Sequence, residues 1–178
     1  KFVYGRMFDW LVQRINKSMA IKGTKDELYI GILDIFGFEC FAVNRFEQLC
    51  INYANEKLQQ KFTSDVFRSV VLEYEAEGLP LQEINYEDNL QVLNLLEGRM
   101  GLINVLNEEC LRPKGGDEAF VSKVYTMNPA DAKDSSANVL IQNKRFLKTE
   151  FGIKHYAGEV KYDATKFIRK NMDTLPQD

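Results

Sequence analysis

The chain has 178 residues, 45% of them hydrophobic and 28% charged, with a formal net charge of −3. That is the composition of one ordinary globular domain, and its slight acidity excludes bulk attraction to nucleic acid or an anionic membrane. No apolar run approaches the ~20 residues that span a bilayer, no signal peptide precedes the first helical pattern, and Cys40, Cys50 and Cys110 beside a single histidine make neither a disulfide framework nor a zinc site, which points to a reduced, intracellular setting.

Tyr4, Met7, Phe8, Leu11, Val12, Ile15 and Met19 recur at steps of three and four, which predicts an amphipathic helix with one buried face, stopped by Gly23. Leu28-Tyr29-Ile30-Gly31-Ile32-Leu33 is apolar on both faces and reads as a central strand of a covered, parallel sheet. It ends at Asp34, and the carboxyl ends of such strands are where open α/β sheets place ligands. A long helix is predicted over 44–78. Asn44 with Glu47 three residues later forms its N-terminal capping pair, and Phe46, Leu49, Cys50, Tyr53, Leu58, Phe62, Val66, Phe67, Val70, Val71 and Tyr74 carry its apolar periodicity. Gly78 and Pro80 end it. At roughly 33 residues it would measure about 50 Å, a length suited to transmitting position or lining an interface. Glu73, Glu75 and Glu77 read as its solvated end.

Two short helices are predicted over 89–97 and 101–109, then a loop at Pro113-Lys114-Gly115-Gly116 and a helix over 117–125, so that 101–125 is a helix-loop-helix. Residues 129–138 are small and polar and read as a surface loop. Phe151 to Tyr156 and Val160 to Tyr162 flank Ala157-Gly158 as a hairpin, and a last helix starts near Ala164. His155, with no partner in sequence for a metal or nucleophilic site, reads as a core or turn histidine.

One constellation bears on chemistry: Asp34-Ile35-Phe36-Gly37-Phe38-Glu39. A strand delivers an aspartate to its tip. Gly37 lets the backbone N–H approach a ligand closely, and Glu39 adds a second carboxylate. In nucleoside-triphosphatase sites an aspartate of this kind positions Mg²⁺ and a glycine N–H senses the terminal phosphate. Such a site also needs a phosphate cradle, and no Gly-x-x-x-x-Gly-Lys-Ser/Thr occurs in the chain. The residues therefore supply half a site.

The same hexapeptide resembles the switch II segment of myosins, and Asn44-Arg45-Phe46-Glu47-Gln48-Leu49-Cys50-Ile51-Asn52-Tyr53-Ala54-Asn55-Glu56-Lys57-Leu58-Gln59-Gln60 resembles the start of the myosin relay helix. Phe8-Asp9-Trp10-Leu11-Val12 with Arg14-Ile15-Asn16 resembles the helix before switch II. Residues 101–120, with Asn107-Glu108-Glu109-Cys110 and Pro113-Lys114, resemble the helix-loop-helix that docks on actin. His155-Tyr156-Ala157-Gly158-Glu159-Val160 and Lys170-Asn171-Met172-Asp173 resemble the later strands and helix of the lower central subdomain. The likeness covers essentially the whole chain, and it implies an internal piece of a single motor domain of the P-loop NTPase type: α/β, mostly helical here, with one central sheet strand, a long relay helix and a small hairpin. Its parts would be 1–23 before switch II, 28–39 strand and switch II, 44–78 relay helix, 79–86 relay loop, 101–125 actin-binding helix-loop-helix, and 145–178 lower-subdomain strands and helix.

Carried over residue by residue, the resemblance implies that Asp34 lies near Mg²⁺ through water, that the Gly37 N–H bonds the γ-phosphate, and that Glu39 pairs with an arginine of switch I and helps place the attacking water. Asn44, Phe46, Leu81 and Ile84 would couple switch II and the relay to the converter. Arg99, Gly101, Glu108, Glu109, Pro113 and Lys114 would meet actin. The parent would bind ATP and Mg²⁺, hydrolyse ATP and move on F-actin in the cytoplasm and cytoskeleton, with light chains held only through a lever outside this chain, and with neither nucleic acid nor membrane insertion involved. The chain by itself would bind no cofactor and hydrolyse nothing. Two departures stand out: Leu81 occupies a relay-loop position where many myosins carry Trp, and Trp10 is the only tryptophan. Two other readings of the chain follow from the missing cradle: a stand-alone actin-binding module without ATPase activity, or an inactive truncated piece.

Overall fold

A computed structural model describes residues 2–20, 30–79, 88–128 and 139–172. It divides into two compact units, one formed by Lys1–Ile35 with Asp173–Asp178 and the other by Phe36–Met172.

In the first unit the periodic segment forms helix α1, Phe2–Met19, as its spacing predicts, but the expected buried face is open: no residue of α1 is buried. The 3–4 rhythm is enough to align the apolar side chains on one side of a helix. Covering them needs a second surface, and no described residue of this unit provides one. The strand expected up to Leu33 differs in the same way. Residues 30–35 belong to no regular element, and Ile30 and Ile32 are 97% and 93% exposed. A strand exists through its ladder, and a run apolar on both faces needs neighbours on both sides; the described residues pair none with it. Gly23 and residues 24–29 lie outside the described residues.

The second unit holds the core. Helix α2, Phe46–Ala76, has 31 residues and so rises about 46 Å. Its C-terminus follows the glycine rule: Gly78 takes φ 68°, its N–H bonds the Glu75 carbonyl, and the Leu79 N–H reaches back to Tyr74, a Schellman closure. The N-terminus differs from expectation by one residue. Arg45, not Asn44, caps the helix, and its backbone N–H is accepted by Gln48 Oε1 at 3.0 Å. Asn44 is unavailable because its amide is committed elsewhere.

Helices α3 (Leu90–Glu97), α4 (Leu102–Leu111) and α5 (Asp117–Met127) follow, then strands β1 (Leu140–Ile141), β2 (Glu150–His155) and β3 (Gly158–Asp163), and helix α6 (Phe167–Asn171). The sheet has order β1-β2-β3 and is antiparallel throughout. The hairpin appears where Ala157-Gly158 places it, with His155 opposite Gly158 and Glu150 opposite Asp163. Along β3, Val160 and Tyr162 turn inward and alternate with exposed Glu159 and Lys161, the period of two that puts one strand face on a core. The two-residue strand β1 was not expected. The loop predicted at 129–138 lies outside the described residues.

The core is aromatic at its centre. Phe120 of α5, Phe151 of β2 and Phe167 of α6 meet with ring centroids 6.1 Å apart, and Tyr162 stacks on Phe151 at 5.5 Å. All four are fully buried; each such side chain contributes about 1.5–3 kcal/mol by leaving water. Asp117 ties two elements together: the first residue of α5, it accepts the N–H groups of Lys166 and Ile168 at the start of α6, at 2.8 and 3.1 Å.

The turn between α4 and α5 depends on a close approach. A Cβ at Gly115 would lie 2.0 Å from the Glu109 carbonyl oxygen, whereas one at Gly116 would meet nothing. Gly115→Ala should therefore lower stability by about 2–3 kcal/mol and Gly116→Ala hardly at all, read from denaturant midpoints; equal effects would refute the crowding argument. Among the described residues, Tyr53, Tyr125, Tyr156 and Tyr162 are shifted above the usual tyrosine range. The Glu97 carboxylate bonded to Tyr53 holds it up at about 12, burial pushes Tyr125 to about 12, and burial also raises Tyr156 and Tyr162. Unfolded tyrosines ionise near 10. The stability that Tyr53 and Tyr125 contribute is thus complete below about pH 10 and is lost as pH rises through about 12. Absorbance titration should show a late tyrosine step, well above pH 10, that coincides with unfolding; a single step near pH 10 on the folded chain would contradict it.

Candidate functional site

The segment that follows Ile35 has no regular structure, yet it is held at several points by side-chain amides. Asn52, one and a half turns into α2, pairs with the backbone of Glu39 twice: Oδ1 accepts the Glu39 N–H and Nδ2 donates to the Glu39 carbonyl, both at 2.8 Å. That is a strand-like pairing made by a helix side chain. Asn55 Nδ2 donates to the Phe36 carbonyl at 3.0 Å, and Gln48 Nε2 to the Glu39 carboxylate at 3.2 Å. Positions 48, 52 and 55 share one face of a helix by their 3–4 spacing. Asn44 closes the segment. It accepts the Phe41 N–H at 2.8 Å and donates to the carbonyls of Phe41 and Lys161, while its own carbonyl accepts the Asp163 N–H. A parallel bridge to Tyr162 results, so the loop is fastened to the hairpin as well as to α2.

Behind this lies a buried polar network. Glu56 of α2 is fully buried. One carboxylate oxygen sits 2.9 Å from His155 Nδ1 and accepts the Tyr156 N–H at 2.9 Å; the other accepts from Asn89 Nδ2. His155 Nε2 lies 2.8 Å from the Tyr162 hydroxyl, which also accepts from Asn52 Nδ2 at 2.8 Å. Phe38 places its ring edge-on to His155 and Tyr156, with centroids 5.4 and 5.9 Å away. Burial holds the Tyr162 hydroxyl protonated well above the usual tyrosine range.

The predicted site residues fall in three groups. Gly37 and Glu39 share the second unit, Gly37 exposed and Glu39 half-buried, and the amides above fix Glu39; Asp34 is exposed and stands in the first unit. Asn44 is buried in the role just described, and Phe46 packs edge-on against Phe167 at 5.6 Å. Leu81 and Ile84, with residues 80–86 of the relay loop expected at 79–86, lie outside the described residues. Around the helix-loop-helix, Arg99, Glu108, Pro113 and Lys114 are exposed, whereas Gly101 caps α4 and is buried. Glu109 is buried too, its carboxylate 2.8 Å from Arg112 and 3.9 Å from Lys123.

Sequence reasoning missed Asn52, Asn55, Glu56, Tyr162 and the partnership of His155. Gln48, Asn52, Asn55 and Glu56 do recur at helical spacing, but α2 carries many other polar residues and the pattern does not single them out. Among the described residues no group of three His, Cys, Asp or Glu side chains is arranged to hold a metal ion, and the chain contains no glycine-rich phosphate cradle. These residues alone therefore do not fit a Mg²⁺–nucleotide complex. What they can do is hold a short loop rigidly against one end of a long helix.

The chain matches the Myosin head (motor domain) family over residues 1–178. It is 48% identical over 179 residues to Myosin-52 of Schizosaccharomyces pombe, covering 98% of this chain and 12% of that protein. It is 43% identical over 175 residues to human unconventional myosin-Vc, covering 98% of this chain and 10% of that one, and 43% identical over 176 residues to Protein OPAQUE1 of Zea mays, covering 98% and 11%. The chain thus spans about a tenth of the length of these curated relatives. With a family match along its entire length, the chain belongs to the myosin head (motor domain) family.

Proposed function

We propose that the complete protein is an actin-based motor ATPase and that this chain is its transducing segment, joining phosphate sensing to the relay helix and to the actin-binding surface. The observation that carries this is the double pairing of Asn52 with the Glu39 backbone: the loop bearing Gly37 and Glu39 and the start of the 31-residue helix α2 must move together or break buried bonds. On this reading ATP and Mg²⁺ are held largely by parts of the motor outside the chain. Asp34 stands near the metal through water, the Gly37 N–H meets the γ-phosphate, and Glu39, freed from Gln48, pairs with a switch I arginine and orients the attacking water. A packed element with two arrangements then carries the change along α2, towards a converter reached through Leu81 and Ile84. Arg99, Glu108, Pro113 and Lys114 offer their exposed side chains to F-actin, and Gly101 and Glu109 shape the turn and helix that present them. Light chains belong to a lever outside this chain.

A second reading, an actin-binding module without ATPase activity, is favoured only by the absence of a phosphate cradle from these 178 residues. ATP separates the two: a motor releases actin when nucleotide binds, and a module does not. In the complete protein, Glu39→Ala should slow the hydrolysis step by about 10²-fold or more while ATP still releases actin. Gly37→Ala is the sharper test, because a Cβ there meets nothing within 4 Å. The fold should tolerate it, so a loss of hydrolysis with rigor-like actin binding retained reports on the approach of phosphate. Normal single-turnover hydrolysis in both variants would sink the proposal.

A further inference from the structure

Tyr162, His155 and Glu56 touch neither Gly37 nor the Glu39 side chain, yet their bonds run in one direction towards Glu39. A carboxylate only accepts, so the proton between Glu56 and His155 sits on Nδ1. The neutral ring then offers Nε2 as an acceptor, and Tyr162 must donate its hydroxyl proton to it. The phenolic oxygen is left to accept one proton of Asn52 Nδ2. The other Nδ2 proton goes to the Glu39 carbonyl, and Oδ1 takes the Glu39 N–H. A flipped Asn52 amide would set oxygen against both the Tyr162 oxygen and the Glu39 carbonyl, and NH₂ against the Glu39 N–H. The chain of donors therefore decides which way the amide faces, and with it whether the Glu39 peptide is held.

We propose that Tyr162, His155 and Glu56 are positioning residues for hydrolysis, acting through Asn52 to hold the backbone of Glu39. The inference rests on the reading of Glu39 as a residue of the hydrolysis step. The groups facing His155 are Glu56 from α2, Tyr162 from β3 and the Phe38 ring from the loop, with Asp88, Lys154 and Tyr156 around the adjoining cavity. Of these, only Glu56 and Tyr162 bond the ring in the arrangement described.

In the complete motor labelled with ¹⁵N-histidine, the ring signals lost in His155→Gln identify those of His155. The expected result is an Nδ1–H tautomer whose Nε2 resonance is moved by Tyr162→Phe. An Nε2–H tautomer would overturn the proposal, even if the Tyr162 variant fails to fold. In the complete motor, Tyr162→Phe should slow the burst of phosphate formation about five- to tenfold, the worth of one hydrogen bond. ATP-induced actin release should stay unchanged. A lowered melting temperature with an unaltered burst would make the network purely structural and overturn the inference. Glu39→Ala measured alongside separates the failures: a slow Glu39 variant beside a normal Tyr162 variant refutes this inference alone, whereas normal turnover in both refutes the reading it rests on.

Discussion

The second unit is organised around the buried carboxylate of Glu56. Three N–H groups converge on it, from the His155 ring, the Tyr156 backbone and the Asn89 amide. Each belongs to a different part of the unit: β2, the hairpin turn and the residue that caps α3. An isolated carboxylate in such a place would cost many kcal/mol, and the cost falls because three donors are aimed at it. Removing the carboxylate would strand three donors, at about 1–3 kcal/mol each, a sum comparable with the total stability of a domain. Helix α2, the hairpin and α3 are thereby locked into one relative arrangement by polar geometry, while the apolar core around Phe120, Phe151 and Phe167 supplies the non-directional free energy. The apolar core drives collapse; the carboxylate selects which collapsed arrangement persists.

That division of labour explains why the loop at 36–41 can be ordered without being a strand. Its backbone finds partners in the side chains of Asn44, Asn52 and Asn55. Side-chain amides satisfy peptide groups as a ladder would, but they can release them one at a time. A ladder would tie the loop to a sheet edge all at once. Discrete contacts spaced along a helix can be made and broken separately, since each is worth only about 1 kcal/mol net.

The parts of the molecule governed by local rules were legible in the sequence. Gly78 marks the end of α2 through its left-handed backbone, Ala157-Gly158 marks the hairpin, and Pro113 to Gly116 separates α4 from α5. His155 reads correctly as a core residue because a lone histidine has nothing to form a site with. Features that depend on distant partners were not legible. Asn44 looks like a helix cap until β3 claims its amide 117 residues away. Asn52 and Glu56 look like the polar side of a surface helix until Tyr162 and His155 arrive from more than 90 positions downstream. Glu109 sits in a stretch that reads as exposed and acidic, yet its carboxylate turns inward to Arg112 and Lys123. The strand expected at 28–33 fails for the same reason in reverse: its apolar pattern states a need for neighbours, and a pattern cannot show who they are. Family resemblance reached the loop and the helix because it encodes such partnerships, but it did not say which atoms carry them.

The two halves of α2 are built differently, and this bears on how a small displacement would travel. The ties to the loop and the hairpin fall between Gln48 and Glu56, roughly the first 12 Å of the helix by its rise per residue. Beyond Thr63 the described side chains are mostly exposed. The first part is therefore held by directional bonds and moves only as those bonds permit, whereas among the described residues the second makes fewer such ties. A helix about 46 Å long that tilts by about 5° at its anchored end displaces its far end by about 4 Å. A change in how Asn52 grips the Glu39 peptide, a matter of tenths of an ångström, would in this way become several ångströms near Gly78. The amplification needs stiffness in between, and backbone hydrogen bonding along all 31 residues supplies it. A flexible joint midway would dissipate the motion, so the placement of the glycine is informative: it stands at the end of the helix and nowhere within it.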